Sequence, residues 1–117
     1  MQTKRYDLEE RTFLFAKDIR DFLKKLKKDI INLEDIKQLL RSSGSIGANY
    51  IEANEAFSKK DFIHRIKISR KEAKETIFWL NLLDCKEDCL KERKEQLVKE
   101  ATELMMIFGS IIRKTEL

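Results

Sequence analysis

Apolar side chains recur every three or four residues along four separate segments of this chain, and no proline interrupts any of them. Such spacing places one apolar stripe along each of four helices. The second stripe comprises Ile36, Leu39, Leu40, Ser43, Gly47, Tyr50, Ile51, Asn54 and Phe57. Four amphipathic helices joined by short turns share one core when they pack antiparallel in sequence. The sequence therefore predicts an all-α fold, an antiparallel up-down-up-down four-helix bundle.

Two polar pairs mark the expected starts of helices. Asn32 is followed three residues later by Asp35, and Ser58 is followed at the same spacing by Asp61. Asn and Ser are favoured N-cap residues because their side chains accept a hydrogen bond from the first free backbone N–H groups. We therefore predict that the second helix begins after Asn32 and the third after Ser58.

Composition limits the classes of function open to the chain. A length of 117 residues suits a single domain over residues 1–117. With three glycines and no proline there is no Gly-rich phosphate loop and no Pro-rich linker. The first ten residues are charged and lack an apolar core, so we expect a cytoplasmic protein without a membrane partner.

Four segments together resemble a known family. They read RTFLFAKDIRDFLKKL, LLRSSGSIGANYIEANEA, KDFIHRIKISRKEAKETIFWLNLL and KEATELMMIFGSIIRKT, in that order. The chain resembles the 23S ribosomal RNA intervening-sequence protein family, small bacterial four-helix-bundle proteins. That resemblance implies association with ribosomal RNA and a ring-like homo-oligomer, with a pentamer expected.

Positive charge is concentrated in the third helical segment. Residues 59–74 contain seven basic side chains and two acidic ones, a local balance of +5, whereas the whole chain carries +4. At 100° per residue, four lysines fall in one outward row, and Arg70 lies beside it. A solvated helix face is the ordinary reading of such a stripe, but it also suits a phosphate backbone. We predict that structured RNA or a nucleoprotein binds through Lys60, Lys67, Arg70, Lys71 and Lys74.

Several apolar side chains do not fit the predicted core. Phe78 and Leu82 lie on the far side of the third helix from its stripe, Trp79 about a quarter turn from it, and Phe13 points outward from the first helix. A monomer would expose them, which proteins of this size usually avoid. We therefore predict a subunit interface that contains Phe13, Phe78, Trp79 and Leu82.

No motif for catalysis, metal binding or a cofactor survives inspection. Asp61 and His64 have a di-iron spacing that bundles use twice, but the chain has one histidine. Cys85 and Cys89 supply two of the four ligands that a structural zinc requires. Glu72 and Glu75 are expected to bind cations across a subunit contact rather than to act as acid and base. We expect a non-enzymatic protein without a cofactor.

Two further readings concern the glycines and the class of partner. Gly44-Ser45-Ile46-Gly47 has the spacing of an RNA-clamping GxxG loop, but it lies within a helical register, so close helix packing is the better interpretation.

The family is also similar to the accessory protein of diversity-generating retroelements, which partners a reverse transcriptase. The alternative function is therefore a protein-interaction scaffold whose basic face binds a protein partner.

Overall fold

The computed structural model describes the backbone of residues 4–117 and the side chains of residues 8–117. Met1–Thr3, part of the charged N-terminal segment, lie outside the described residues. The described chain forms four helices: α1 (Lys4–Lys24), α2 (Ile30–Asn54), α3 (Lys59–Leu82) and α4 (Asp88–Glu116). The predicted all-α four-helix bundle is confirmed.

The four helices are arranged in a ring around one core. Each helix packs against its neighbours in sequence, and α1 also packs against α4, so that α1 lies diagonally across the bundle from α3 and α2 from α4. Consequently the face made by α3 and α4 lies opposite the face made by α1 and α2. None of the four described helices combines the length and apolar composition that a membrane span needs.

Large apolar side chains from all four helices fill the space between them. The most completely buried include Phe15, Phe22, Leu39, Ile66 and Phe108. Two polar contacts cross between α2 and α3 inside this core: Thr76 Oγ1 donates to Ser42 Oγ at 2.9 Å, and Ser69 Oγ donates to the Ile46 carbonyl oxygen at 2.9 Å. Because buried hydroxyls are costly without partners, these bonds fix the register of α3 against α2.

Local signals set the helix ends. Ser58 caps α3 by accepting a hydrogen bond from the Asp61 N–H, as predicted. The prediction for α2 is wrong: Asp29 is the N-cap, and it accepts from the N–H of Asn32, whose own side chain is buried and donates to the Lys27 carbonyl oxygen. The helix starts earlier than predicted because Asp29 offers an N-cap carboxylate three residues upstream.

The predicted buried stripe of α2 is partly wrong at its end. Phe57 is fully exposed because the helix stops at Asn54, so the 100° rotation per residue does not continue to it. Ile51 is half-exposed, and Ile46 and Ala53 are buried instead. The remaining members, from Ile36 to Tyr50, are buried or half-buried.

Gly47 lies where α2 packs closely against Thr12 of α1. A methyl group added there would lie 2.9 Å from Thr12 Oγ1 and 3.2 Å from Thr12 Cβ. At Gly44 the nearest atom to such a methyl is Arg20 Nη2, at 3.7 Å. The interpretation of the GxxG spacing as close helix packing is therefore confirmed for Gly47 alone.

Candidate nucleic-acid interface

The basic side chains of α3 meet α4 along an open groove of about 1010 Å³. We call it the α3–α4 groove. Its α3 side consists of Lys67, Arg70, Lys71 and Lys74, and its α4 side of Met105, Met106, Ile107, Gly109, Ser110 and Arg113. These described lining residues include five cations and no carboxylate, so the groove favours an anion along its length.

The α3 helix places its charges by face. Arg65 turns toward α2 and donates to Asn49 Oδ1 at 3.1 Å, while Glu72 is buried on the same side. Both therefore lie away from the groove. Lys67, Arg70, Lys71 and Lys74 project on the α4 side and outward, and all four are exposed.

The end of the groove at Lys67 carries less free positive charge than the rest of the groove. Lys67 Nζ lies 3.5 Å from Glu116 Oε2, which partly neutralises it. Within the described residues Arg70, Lys71, Lys74 and Arg113 have no ion pair. Free cations are therefore concentrated in the stretch from Arg70 to Lys74 and at Arg113 across from them.

Lys60 is separate from this groove. It lies in a neighbouring shallow cleft toward the start of α3, lined also by Lys59, Ile63, His64, Lys67 and Glu116. Lys67 lines both depressions, so the lysine row runs continuously from one to the other. At 1.5 Å per residue, the row from Lys60 to Lys74 spans about 21 Å.

Arg113 also lines the α3–α4 groove and was not predicted from the sequence. It lies on α4, one turn after Gly109, and faces the α3 cations. A signal for it was available, since antiparallel packing places the last turns of α4 beside the first half of α3. An arginine at position 113 could then have been interpreted as an extension of the basic stripe of α3.

The two glutamates of α3 have a structural role within the chain. Arg41 Nη1 donates to Glu72 Oε1 at 3.2 Å, and Arg41 Nη2 donates to Glu75 Oε1 at 2.7 Å. The hydrogen bond to Glu72 is the main cause that raises the pKa of Arg41. The packing of α2 thus gives both carboxylates a cation within the chain, and the expected contact with cations of another subunit stays a prediction.

A second arginine bridge connects α1 to α4. Arg11 donates to both oxygens of Glu100 at 2.7 Å and to Glu103 at 2.9 Å. These contacts raise the pKa of Arg11, with the hydrogen bond to Glu100 as the largest cause. Such bidentate pairs fix orientation as well as adding attraction.

The predicted interface residues lie on α1 and α3, two helices that are not neighbours in the bundle. Phe13 on α1 is 62% exposed, and Phe78 and Leu82 on α3 are 57% and 52% exposed. Trp79 differs from the prediction: it is half-buried, packs against the core and meets Phe78 edge-on at 5.1 Å between ring centroids. The reason is that Trp79 lies two helical turns after buried Glu72 and shares its face toward α2.

The remaining candidates for chemistry are His64, Cys85 and Cys89. His64 and Cys89 are exposed, while Cys85 is buried beside the α3–α4 turn, where desolvation raises the pKa of its thiol. Within the part of the chain that the structure describes, no three His, Cys, Asp or Glu side chains are grouped so as to hold a metal ion.

Comparison with known proteins identifies relatives of this fold. A family model described as 23S rRNA-intervening sequence protein matches residues 4–110. The chain is also similar to a crystal structure of a protein of unknown function from the S23 ribosomal protein family of Bacteroides thetaiotaomicron VPI-5482. That similarity has 35% sequence identity and a TM-score of 0.81, and it covers 95% of this chain and 99% of the other. No curated protein matches the chain.

Proposed function

Because the chain belongs to the 23S rRNA-intervening sequence protein family, we propose that it binds structured RNA, alone or within a ribonucleoprotein, as a non-enzymatic protein. The observation that carries this proposal is the α3–α4 groove, whose described lining holds five cations and no carboxylate. Phosphate groups are the anions that RNA presents at regular spacing, and each one neutralised releases counterions.

The composition of the groove favours phosphate contact over the reading of bases. Its described lining contains no aromatic side chain on which an unpaired base could stack. Lysine, which makes up most of its charge, acts toward phosphate as a point charge. Recognition is therefore tolerant of sequence and directed at the backbone of a folded RNA.

Charge reversal within the groove tests this proposal. A Lys67→Glu/Lys71→Glu variant is compared with Lys24→Glu/Lys25→Glu, which makes the same change in net charge at exposed positions at the end of α1. We expect the groove variant to bind an RNA hairpin more weakly at low salt. The slope of log affinity against log salt concentration should also become shallower by roughly one to two units. The α1 variant should keep the parental slope.

Equal binding by the parent and a folded groove variant would contradict the proposal. The lysine row would then be a solvated face, and a protein partner such as a reverse transcriptase would become the better explanation of the basic stripe. Circular dichroism and melting of both variants confirm that they are folded.

We further propose that the protein is a homo-oligomer, with a pentameric ring expected. Two separate exposed patches, Phe13 on α1 and Phe78 with Leu82 on α3, support this. A head-to-tail contact joins two different surfaces of the same chain and can close into a ring. Such a ring would repeat the α3–α4 groove once per subunit.

Light scattering tests the assembly. The purified protein should give a multiple of 13.9 kDa. Phe78→Glu should lower that mass while helicity is retained, because a charge at a buried contact is costly. Ile31→Glu, at another exposed apolar position, serves as the control and should leave the mass unchanged. A parental monomer at micromolar concentration would contradict the proposal.

A further inference from the structure

Two arginines from facing helices converge on Gly109. A methyl group added to Gly109 would lie 3.4 Å from Arg113 Nη1 and 3.9 Å from Arg70 Cδ. Gly109 is buried although it lines the open groove. The Arg113 guanidinium and the aliphatic stem of Arg70 therefore both lie beside the α4 backbone at Gly109, a residue that has no side chain of its own.

This pair differs from the other arginines of the chain. Each of the other arginines whose side chain is described has a hydrogen-bonded partner: Arg11 with Glu100, Arg20 with the Ala16 carbonyl, Arg41 with Glu72, Arg65 with Asn49 and Arg93 with Gln96. Within the described residues Arg70 and Arg113 have none. Both lie instead in the α3–α4 groove, whose described lining contains no carboxylate.

Because Arg70 and Arg113 both lie beside Gly109, their like charges repel each other, and an anion bound between them would offset that repulsion. A guanidinium presents a planar fork of donors that matches phosphate oxygens in pairs, which lysine cannot do. Ser110, which also lines the groove, adds a hydroxyl beside the same spot. An anion with several oxygens can thus accept from both forks and from the hydroxyl.

We propose that Arg70 and Arg113 form a phosphate clamp over Gly109, in which both guanidinium groups bind one phosphate of the RNA backbone. The clamp rests on the proposed RNA-binding function and goes beyond it, since it assigns one position in the groove a directional contact. Lys67, Lys71 and Lys74 contribute charge along the groove, and the arginine pair fixes where one phosphate lies.

Substitution of arginine by lysine tests the clamp without changing the charge. Arg70→Lys/Arg113→Lys should bind an RNA hairpin roughly tenfold more weakly than the parent, with the same dependence on salt, because the forks are lost and the charges remain. Arg20→Lys on the opposite α1–α2 side is the matched control and should bind as the parent does.

A second measurement uses inorganic phosphate alone. Titration followed by NMR of the arginine Nε–H groups should shift the resonances of Arg70 and Arg113 to saturation and leave Arg20 and Arg41 in place. If the lysine double variant bound the RNA hairpin within twofold of the parent, the clamp would be overturned and the proposed RNA binding would stand. A phosphate titration that shifted neither the Arg70 nor the Arg113 resonance would have the same meaning. If the parent bound no RNA while the phosphate shifts were retained, both the proposed function and the clamp on RNA would be refuted, and the arginine pair would be a site for a small phosphate compound.

Discussion

The sharpest test of the packing concerns the two glycines of α2, because the same substitution should have opposite effects three residues apart. Alanine in place of glycine within a helix gains about 1 kcal/mol in propensity. At Gly44 that gain remains, since the new methyl group would lie 3.7 Å from Arg20 Nη2, an ordinary contact. We therefore expect Gly44→Ala to stabilise the protein by about 1 kcal/mol.

At Gly47 the methyl group would meet Thr12 Oγ1 at 2.9 Å and Thr12 Cβ at 3.2 Å. Thr12 cannot easily move, because it is buried and its hydroxyl donates to the Leu8 and Glu9 carbonyl oxygens at 2.9 and 3.0 Å. Helices α1 and α2 must separate, and overpacking of this kind costs about 1–3 kcal/mol. After the propensity gain, Gly47→Ala should lose up to about 2 kcal/mol of the free energy of unfolding.

The propensity gain is common to both variants and cancels when they are compared. Their difference is therefore the packing cost itself, which corresponds to roughly 4–12 °C in melting temperature for a chain of this size. Urea denaturation followed by circular dichroism at one protomer concentration measures it, because assembly would otherwise shift the apparent stability. Thr12→Ala should recover part of the loss in Gly47→Ala. A Gly47→Ala variant as stable as Gly44→Ala would refute the packing argument.

Three further predictions concern single side chains. Arg41→Ala should lower the free energy of unfolding by about 1–2 kcal/mol, because it leaves the carboxylate of Glu72, a residue that is 9% exposed, without its ion pair. The control is Lys37→Ala, at an exposed pair with Glu34, which should change stability by less than about 0.5 kcal/mol in the same urea experiment. Equal effects of the two substitutions would contradict this prediction. Iodoacetamide at pH 8 should label Cys89 roughly tenfold faster than Cys85, as read from peptide masses, because Cys89 is exposed whereas burial raises the pKa of the Cys85 thiol. The same raised pKa means that Cys85 contributes fully to stability at pH 7, and that this contribution falls as the pH rises above the ordinary thiol value of about 8.5.

The fold was predictable because helical periodicity is a local property that four segments display independently. The predictions that failed concern residues whose environment is set by other parts of the chain. Asp29 rather than Asn32 is the N-cap of α2, and Phe57 lies outside the buried stripe because α2 ends at Asn54. Trp79 is half-buried against the core because of the helices on either side of α3, which the periodicity of α3 alone does not contain.

The candidate site was predictable on one helix and not on the other. The charge balance of residues 59–74 identified Lys67, Arg70, Lys71 and Lys74 directly. Arg113 and the small residues Gly109 and Ser110 belong to the same groove only because α4 runs antiparallel beside α3. Glu72 and Glu75 were assigned a partner in another subunit because the approach of Arg41 from α2 is a tertiary contact.

The buried hydrogen bonds between α2 and α3 have a consequence for the speed of ligand capture. Thr76 with Ser42 and Ser69 with Ile46 hold α3 in register, so one wall of the α3–α4 groove has its shape before any ligand arrives. Association then needs no helix rearrangement, and attraction by the free cations can act directly on the encounter rate. The association rate constant should therefore rise steeply as ionic strength falls, while loss of the arginine forks should act chiefly on the lifetime of the complex.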